Sequence, residues 1–353
     1  MVHDLIDQLY QTHHLTHAQW VTVLTDYTPD DQAYATQLAH ALTIAKFGKK
    51  IFFRGIVEYT NYCRNDCLYC GIRHSNHQVK RYRLSKAEIL ACCEDGYQNG
   101  FRTFVLQGGE DPYYTTEIFE EIIATIHQRY PDCAITLSIG ESTKAAYQRF
   151  FDAGADRFLL RHETASPALY RRWHPAYQPF EHRMQCLKEL KAIGYQTGCG
   201  FMVGAPFQTI ADLATDMVFT TEFQPEMIGI GPFIPHSQTP FKAYSAGNEQ
   251  LTLFILSLCR ILLPDVLLPA TTALGTVQGN GRQLGVLAGC NVVMPNLSPL
   301  RFRKQYLLYD NKAGINDDAA TGIQKLSEQM QTIGYQVVRS RGDFQPRKKE
   351  YHA

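Results

Sequence analysis

Between about residue 50 and residue 300 the chain alternates short β-branched and apolar runs with stretches of helical period. Eight such runs read as strands: Phe52–Thr60, Thr103–Leu106, Ile135–Ser138, Arg157–Arg161, Thr197–Val203, Met227–Gly231, Leu267–Thr272 and Asn291–Met294. Helix boundaries are marked between them. Ser85 with Glu88 forms a capping box ahead of Ile89–Gln98, which Gly100 closes; Ser166-Pro167 and Thr209 with Asp212 open two more helices, and Gly194 ends Glu181–Ile193. Repeated strand–helix units imply parallel strands joined by right-handed crossovers, and eight of them can close into a barrel. An open doubly wound sheet satisfies the same periodicity. Polar residues inside the strands favour the barrel, because Thr136 and Ser138 alternate in the third strand and Arg157, Leu159, Arg161 and Glu163 share a face of the fourth. The expected architecture is α/β: a complete (βα)8 TIM-type barrel over residues 51–309, an N-terminal helical extension over 1–50, and a C-terminal extension over 310–353 with a helix near Ile323–Ile333 and a basic tail.

Charge removes some partner classes. The 353 residues carry 34 Lys and Arg against 34 Asp and Glu, with no long basic block, which argues against nucleic acid or an anionic membrane as the main partner. The most apolar run, Leu251–Leu263, is broken by Thr252, Ser257 and Arg260. It is shorter than the roughly 20 residues of a membrane span and reads as a buried helix. Met1-Val2-His3-Asp4 does not open a secretory signal, so a cytoplasmic location is expected. There the ten cysteines are reduced, and metal binding outranks a disulfide framework.

Three of those cysteines stand at the end of the first strand, in Asn61-Tyr62-Cys63-Arg64-Asn65-Asp66-Cys67-Leu68-Tyr69-Cys70-Gly71, a C-x3-C-x2-C loop. Three thiolates this close in sequence suit a 4Fe-4S cluster, whose remaining iron is then free to bind a substrate. Zinc is the alternative, with His74 or His77 as fourth ligand. The second strand ends in Gln107-Gly108-Gly109-Glu110-Asp111-Pro112, where the glycines admit a close backbone approach to a bound group or serve a plain turn. Arg161 and Glu163 suit the two ends of an amino-acid zwitterion, or a structural ion pair. His162 between them faces outward as a packing histidine, and Thr271 and Thr272 offer hydroxyls to the cavity or simply extend a strand. Cys92, Cys93, Cys133, Cys186 and Cys259 read as buried thiols, whereas Cys199 and Cys290 stand near enough to strand ends to approach the cavity.

The C-x3-C-x-aromatic-C form of the triplet, with Tyr69 before Cys70, resembles the motif of radical S-adenosylmethionine (SAM) enzymes. Further phrases resemble the HydE-type FeFe-hydrogenase maturases, relative to biotin and methylornithine synthases: Leu106 to Tyr114, Leu160-Arg161-His162-Glu163-Thr164-Ala165, Gly229 to His236, Pro269-Ala270-Thr271-Thr272-Ala273 and Val293-Met294-Pro295-Asn296. The resemblance covers roughly residues 50–310. It implies cluster ligands at Cys63, Cys67 and Cys70, with Gly108, Gly109 and Glu110 against the SAM amino group. Further SAM contacts are implied at Tyr69, Ser138, Glu163, Arg183, Met202, Ile230 and Tyr306, and substrate anchors at Thr136, Arg161, Thr271 and Thr272.

The activity it implies is reductive cleavage of SAM to a 5′-deoxyadenosyl radical acting on a small cysteine-derived or organometallic substrate in hydrogenase active-site assembly. A low-potential donor such as flavodoxin or ferredoxin, and companion hydrogenase maturases, are the implied partners. Some family members hold an accessory cluster near the C-terminus. Here no cysteine follows Cys290, and Gly314, Gly322 and Lys325 fall near those positions, so only one cluster is expected. Two alternatives stand beside this: a radical SAM enzyme of the biotin or methylornithine synthase type acting on another small amino-acid-like substrate, and a non-catalytic iron–sulfur carrier or scaffold.

Overall fold

The computed structural model describes residues 1–345. The basic Arg347-Lys348-Lys349 of the expected tail lies outside them. In chain order the strands are β1 (Lys50–Phe53), β2 (Gly55–Thr60), β3 (Thr103–Gly108), β4 (Ala134–Ser138), β5 (Arg157–Leu159), β6 (Gln196–Cys199), β7 (Met202–Val203), β8 (Met227–Ile228), β9 (Gly231–Pro232), β10 (Val292–Val293) and β11 (Gln336–Val338). Six of them make a parallel sheet in the order β2-β3-β4-β5-β6-β8. Closure runs through single parallel bridges: Met227 of β8 to Leu267, Pro269 to Val292 of β10, and Ile56 of β2 to Asn296, while β10 also pairs with β1. Followed round, these bonds return to their start, giving the barrel that the alternation predicted.

Most of the expected strands are shorter or broken: Arg157–Arg161 ends at Leu159, Met227–Gly231 divides into β8 and β9, and Asn291–Met294 keeps only Val292–Val293. Phe52–Thr60 divides at Arg54 into β1 and β2, and Leu267–Thr272 keeps only isolated bridges before Thr272 opens a helix, Thr272–Val277. Thr197–Val203 divides into β6 and β7 around Gly200, whose φ is +157°. A Cβ there would stand 2.1 Å from the Gly229 carbonyl oxygen, so only glycine lets the two backbones meet.

The helix signals map onto real caps. Ser85 and Glu88 exchange the two hydrogen bonds of a capping box at the start of Lys86–Gln98, and Thr209 with Asp212 does the same for Ile210–Phe223. Gly194, left-handed at φ 110°, ends Phe180–Ile193. Glu249–Leu262 is buried from Thr252 to Leu262, and Pro29–Phe47 packs on it from outside. No described helix is long and apolar enough to cross a membrane.

Beyond the barrel, helix Ala319–Thr332 leads into β11, which pairs in parallel with β1. The segment after it closes the barrel floor. Arg157 on β5, fully buried, donates to the Arg341 carbonyl at 2.7 Å and to Asp343, and Thr103 donates to the same carbonyl at 2.8 Å. Arg157 therefore satisfies its charge at the opposite end of the barrel from the cysteine loop, although it shares the inward face that leads to Arg161.

Candidate active site

The cysteine loop leaves β2 at the C-terminal end of the barrel, where such folds carry their chemistry. It is fixed by backbone bonds to three other segments: Arg64 N–H to the Glu110 carbonyl at 2.9 Å, Leu68 N–H to that of Trp173 at 2.8 Å, and Gly71 N–H to that of Leu308 at 2.8 Å. Cys63, Cys67 and Cys70 all face one cavity of about 330 Å³ and carry no disulfide. Burial raises all three thiols, that of Cys70 to about 12, and the neighbouring cysteines push Cys67 and Cys70 further up. A cationic metal group would reverse that preference by binding the thiolates. Among the described residues no three His, Cys, Asp or Glu side chains converge closely enough for a single ion, and His74 and His77 are exposed.

Tyr69 points inward and donates to Nε2 of His174 at 2.9 Å, while His174 Nδ1 meets the Tyr170 carbonyl at 3.0 Å. Burial lowers His174 to about 3, so the ring stays neutral and accepts. The Gly-Gly-Glu turn is packed against the loop: a Cβ on Gly109 would stand 2.1 Å from the Tyr62 carbonyl oxygen and 2.7 Å from Cys63 Cβ. Glu110 accepts from Arg64 at 3.0 Å and from the Glu141 N–H at 2.9 Å.

Arg183, on helix Phe180–Ile193, donates to Glu141 at 2.5 Å and to the Arg161 carbonyl at 2.6 Å. Burial works against its charge, but Tyr170, Glu141 and Glu110 hold the guanidinium well above its ordinary range. Burial likewise opposes the Glu141 carboxylate, and Arg183 and His182 overcome it and keep its pKa low. Glu163 sits at φ 65°, an uncommon conformation for a residue other than glycine, which turns its carboxylate toward Arg161 at 3.2 Å. The two are out of line for a hydrogen bond. Arg161 Nε and one Nη, and one Glu163 oxygen, are therefore buried with no hydrogen-bond partner. Buried polar atoms are rarely left so, and these face a cavity able to hold the partner.

Gly108, Gly109, Glu110, Ser138, Arg161, Glu163, Arg183, Met202, Thr271, Thr272, Tyr306, Tyr69 and the three cysteines all line this cavity. Two of the residues expected there do not. Ile230 lies between Gly229 and Gly231, which face the cavity, so the strand period turns its side chain into the surrounding core. Thr136 lies one pleat below Ser138, beneath the lining, with a buried hydroxyl that has no partner. Cys199 and Cys290 are in the hydrophobic core. His162 is buried outside the barrel wall: burial lowers it to about 3, Nδ1 accepts from the Gly200 N–H at 3.3 Å, and Nε2 faces Asp216 at 3.3 Å.

Sequence reasoning missed a second charged pair in the cavity wall. Glu58, on the inward face of β2, is ion-paired with Lys312 and accepts from Asn296 at 2.9 Å, and Lys312 also donates to the Tyr306 carbonyl at 3.1 Å. The only signal for it was an acidic residue inside an otherwise apolar strand run. Gln178, which accepts from Cys67 Sγ at 3.5 Å and leaves its buried amide nitrogen unpartnered, was missed as well.

Residues 57–219 match the family model of the radical SAM superfamily. The chain is 43% identical over 298 residues to the [FeFe] hydrogenase maturase subunit HydE of Thermotoga maritima, covering 84% of this chain and 85% of that protein. It is 28% identical over 249 residues to the 3-methylornithine synthase of Methanosarcina acetivorans, covering 70% and 69% respectively. A crystal structure of methylornithine synthase superposes with a TM-score of 0.80 at 23% identity, over 95% of this chain and 97% of that one.

Proposed function

From a chain that belongs to the radical SAM superfamily and, within it, to the HydE family of hydrogenase maturases, we propose that Cys63, Cys67 and Cys70 hold one 4Fe-4S cluster over a cavity that takes SAM above and a small cysteine-derived or organometallic substrate below. When bound, the cluster and SAM supply one-electron cleavage of the sulfonium and hence a 5′-deoxyadenosyl radical. The observation that carries this reading is the set of buried atoms on Arg161 and Glu163 that make no hydrogen bond and face the cavity that the three thiols rim. Glu163 accepts from an ammonium group and Gly108 to Glu110 give it a close backbone approach. Tyr69, Ser138, Arg183, Met202 and Tyr306 complete the wall around SAM. Arg161, with the hydroxyls of Thr271 and Thr272, grips an anionic group of the substrate, because a guanidinium fork binds a carboxylate in bidentate fashion. The enclosing walls keep water from a reactive intermediate.

The remaining features of the proposal are a cytoplasmic location, a low-potential reductant of the flavodoxin or ferredoxin class, cooperation with companion maturases, and a single cluster. The last rests on the lack of any cysteine after Cys290. Anaerobic reconstitution is expected to load about four iron and four sulfide per chain. Dithionite with SAM then yields 5′-deoxyadenosine, and its absence from fully loaded protein refutes the reading. The similarity to methylornithine synthases keeps a second substrate class in view, an aliphatic amino acid. Transfer of deuterium into 5′-deoxyadenosine from labelled ornithine or lysine, with none of the expected chemistry on a labelled cysteine-derived thiazolidine, decides for it.

A further inference from the structure

The chain returns from the cysteine loop through Arg81, whose guanidinium is spread over four backbone carbonyls. One terminal nitrogen donates to the carbonyls of Asn61 and Ile72, the latter at 2.8 Å; the other donates to those of Arg73 at 2.6 Å and Asn76 at 3.0 Å. Asn61 stands two residues before Cys63 and Ile72 two residues after Cys70. A single side chain thus spans both ends of the segment that carries the triplet. A planar fork with five N–H groups can serve four acceptors in fixed directions, which a compact ammonium cannot.

The charge on this fork is also distinctive. The other guanidiniums between residues 61 and 83 each meet a carboxylate: Arg64 meets Glu110 at 3.0 Å, Arg73 meets Asp66 at 2.6 Å and Arg83 meets Asp111 at 2.7 Å. Arg81 has no carboxylate partner among the described residues; besides the four carbonyls it meets only the face of the Tyr62 ring, whose centroid lies 6.0 Å from the guanidinium carbon. Hydrogen bonds to the Asn61 and Ile72 carbonyls, each two residues from a cysteine of the triplet, hold that charge against the loop that carries the sulfurs.

Resting on the assignment of a cluster to Cys63, Cys67 and Cys70, we propose that Arg81 is a positioning residue for that cluster: it clamps the two ends of the cysteine loop and holds an uncompensated positive charge beside the sulfur ligands, which raises the reduction potential. The direction follows from charge, because the reduced cluster is the more negative state and a nearby cation in a low-dielectric setting favours it. The clamp and the charge are separable, since Lys retains the charge and loses the fork, whereas Gln loses both.

The test compares the parent with Arg81→Lys and Arg81→Gln after anaerobic reconstitution and without SAM. Its readouts are an EPR-monitored redox titration and the rate of iron release to a chelator. Arg81→Gln is expected to shift the oxidised-to-reduced ratio at fixed potential at least threefold toward oxidised, about 28 mV for a one-electron couple at 59 mV per tenfold. Arg81→Lys is expected to stay within threefold of the parent. Both variants are expected to release iron at least threefold faster. A fully loaded Arg81→Gln with the parent's potential overturns the role of the charge, and parent-like iron release from both variants overturns the clamp. If Arg81→Gln takes up no iron, Arg81→Lys carries the test: faster release at an unchanged potential supports the proposal, and parent-like release overturns it. A parent that takes up no four-iron cluster overturns instead the cluster assignment, before any variant is compared.

Discussion

Replacing Arg183 by Met removes the cation from a buried pair while keeping a side chain of similar length. Glu141, 5% exposed, would then lose its 2.5 Å partner and retain only His182 at 2.8 Å. Removing one member of a buried ion pair costs about 3–5 kcal/mol, because the other charge is left uncompensated. The surviving His182 contact places this case at the lower end, about 3 kcal/mol. At about 2.1 cal/mol/K per residue, the 353 residues give an unfolding entropy near 0.74 kcal/mol/K. Arg183→Met should therefore lower the Tm of the apoprotein by about 4 °C. The informative experiment is the double-mutant cycle with Glu141→Gln, followed by anaerobic thermal melts. The bond from Arg183 to the Arg161 carbonyl is lost in both backgrounds and cancels. A coupling of at least about 1 kcal/mol is expected, so that the double variant is clearly more stable than the sum of the single losses predicts. Strict additivity would show that the pair stabilises nothing and that Arg183 is held by its other neighbours.

Other outcomes follow from the same geometry. Cys67→Ala should abolish loading of the cluster, measured as iron and sulfide per chain, since two thiolates cannot anchor what three hold. Arg161→Ala should leave iron content unchanged and weaken binding of the small substrate at least tenfold by equilibrium titration; unchanged affinity would remove Arg161 from the substrate site. Asp343 answers to pH. Burial would raise its carboxyl, but Arg157 and Arg341 outweigh burial and hold its pKa below the ordinary value. A depressed folded pKa contributes stability above the unfolded pKa, near ~3.9, and loses it as pH falls through the folded one. The Tm advantage of the parent over Asp343→Asn should hold at pH 7 and shrink below about pH 4, and a difference that is constant to pH 3 would show that the floor contact is not ionic.

Much of this fold could be read before any coordinates, because its signals are local. Capping boxes at Ser85 and Thr209, the C-cap at Gly194 and the strand–helix alternation each depend on residues a few positions apart. The same holds for the cysteine triplet, whose spacing alone suggested three ligands to one cluster. Local periodicity stops short of saying what a side chain meets. Alternation put Arg157 on the inward face with Arg161, where it lies, but not its partner: it closes the barrel floor against Asp343, 186 residues away in sequence. The phrase around Ile230 points to the site but not to which of its atoms face it: Gly229 and Gly231 line the cavity, while the Ile230 side chain packs in the core.

The amino-acid sequence by itself determined the family, the cysteine triplet and the order of strands and helices, since each is encoded in spacing that a short window contains. Tertiary structure alone decided which polar side chains share the cavity. Glu58 meets Lys312 across 254 positions, and Arg183 reaches Glu141, in the loop after β4, across 42. Such pairs form because burial leaves each charge no water to turn to, and only the closed barrel fixes which opposite charge lies within reach.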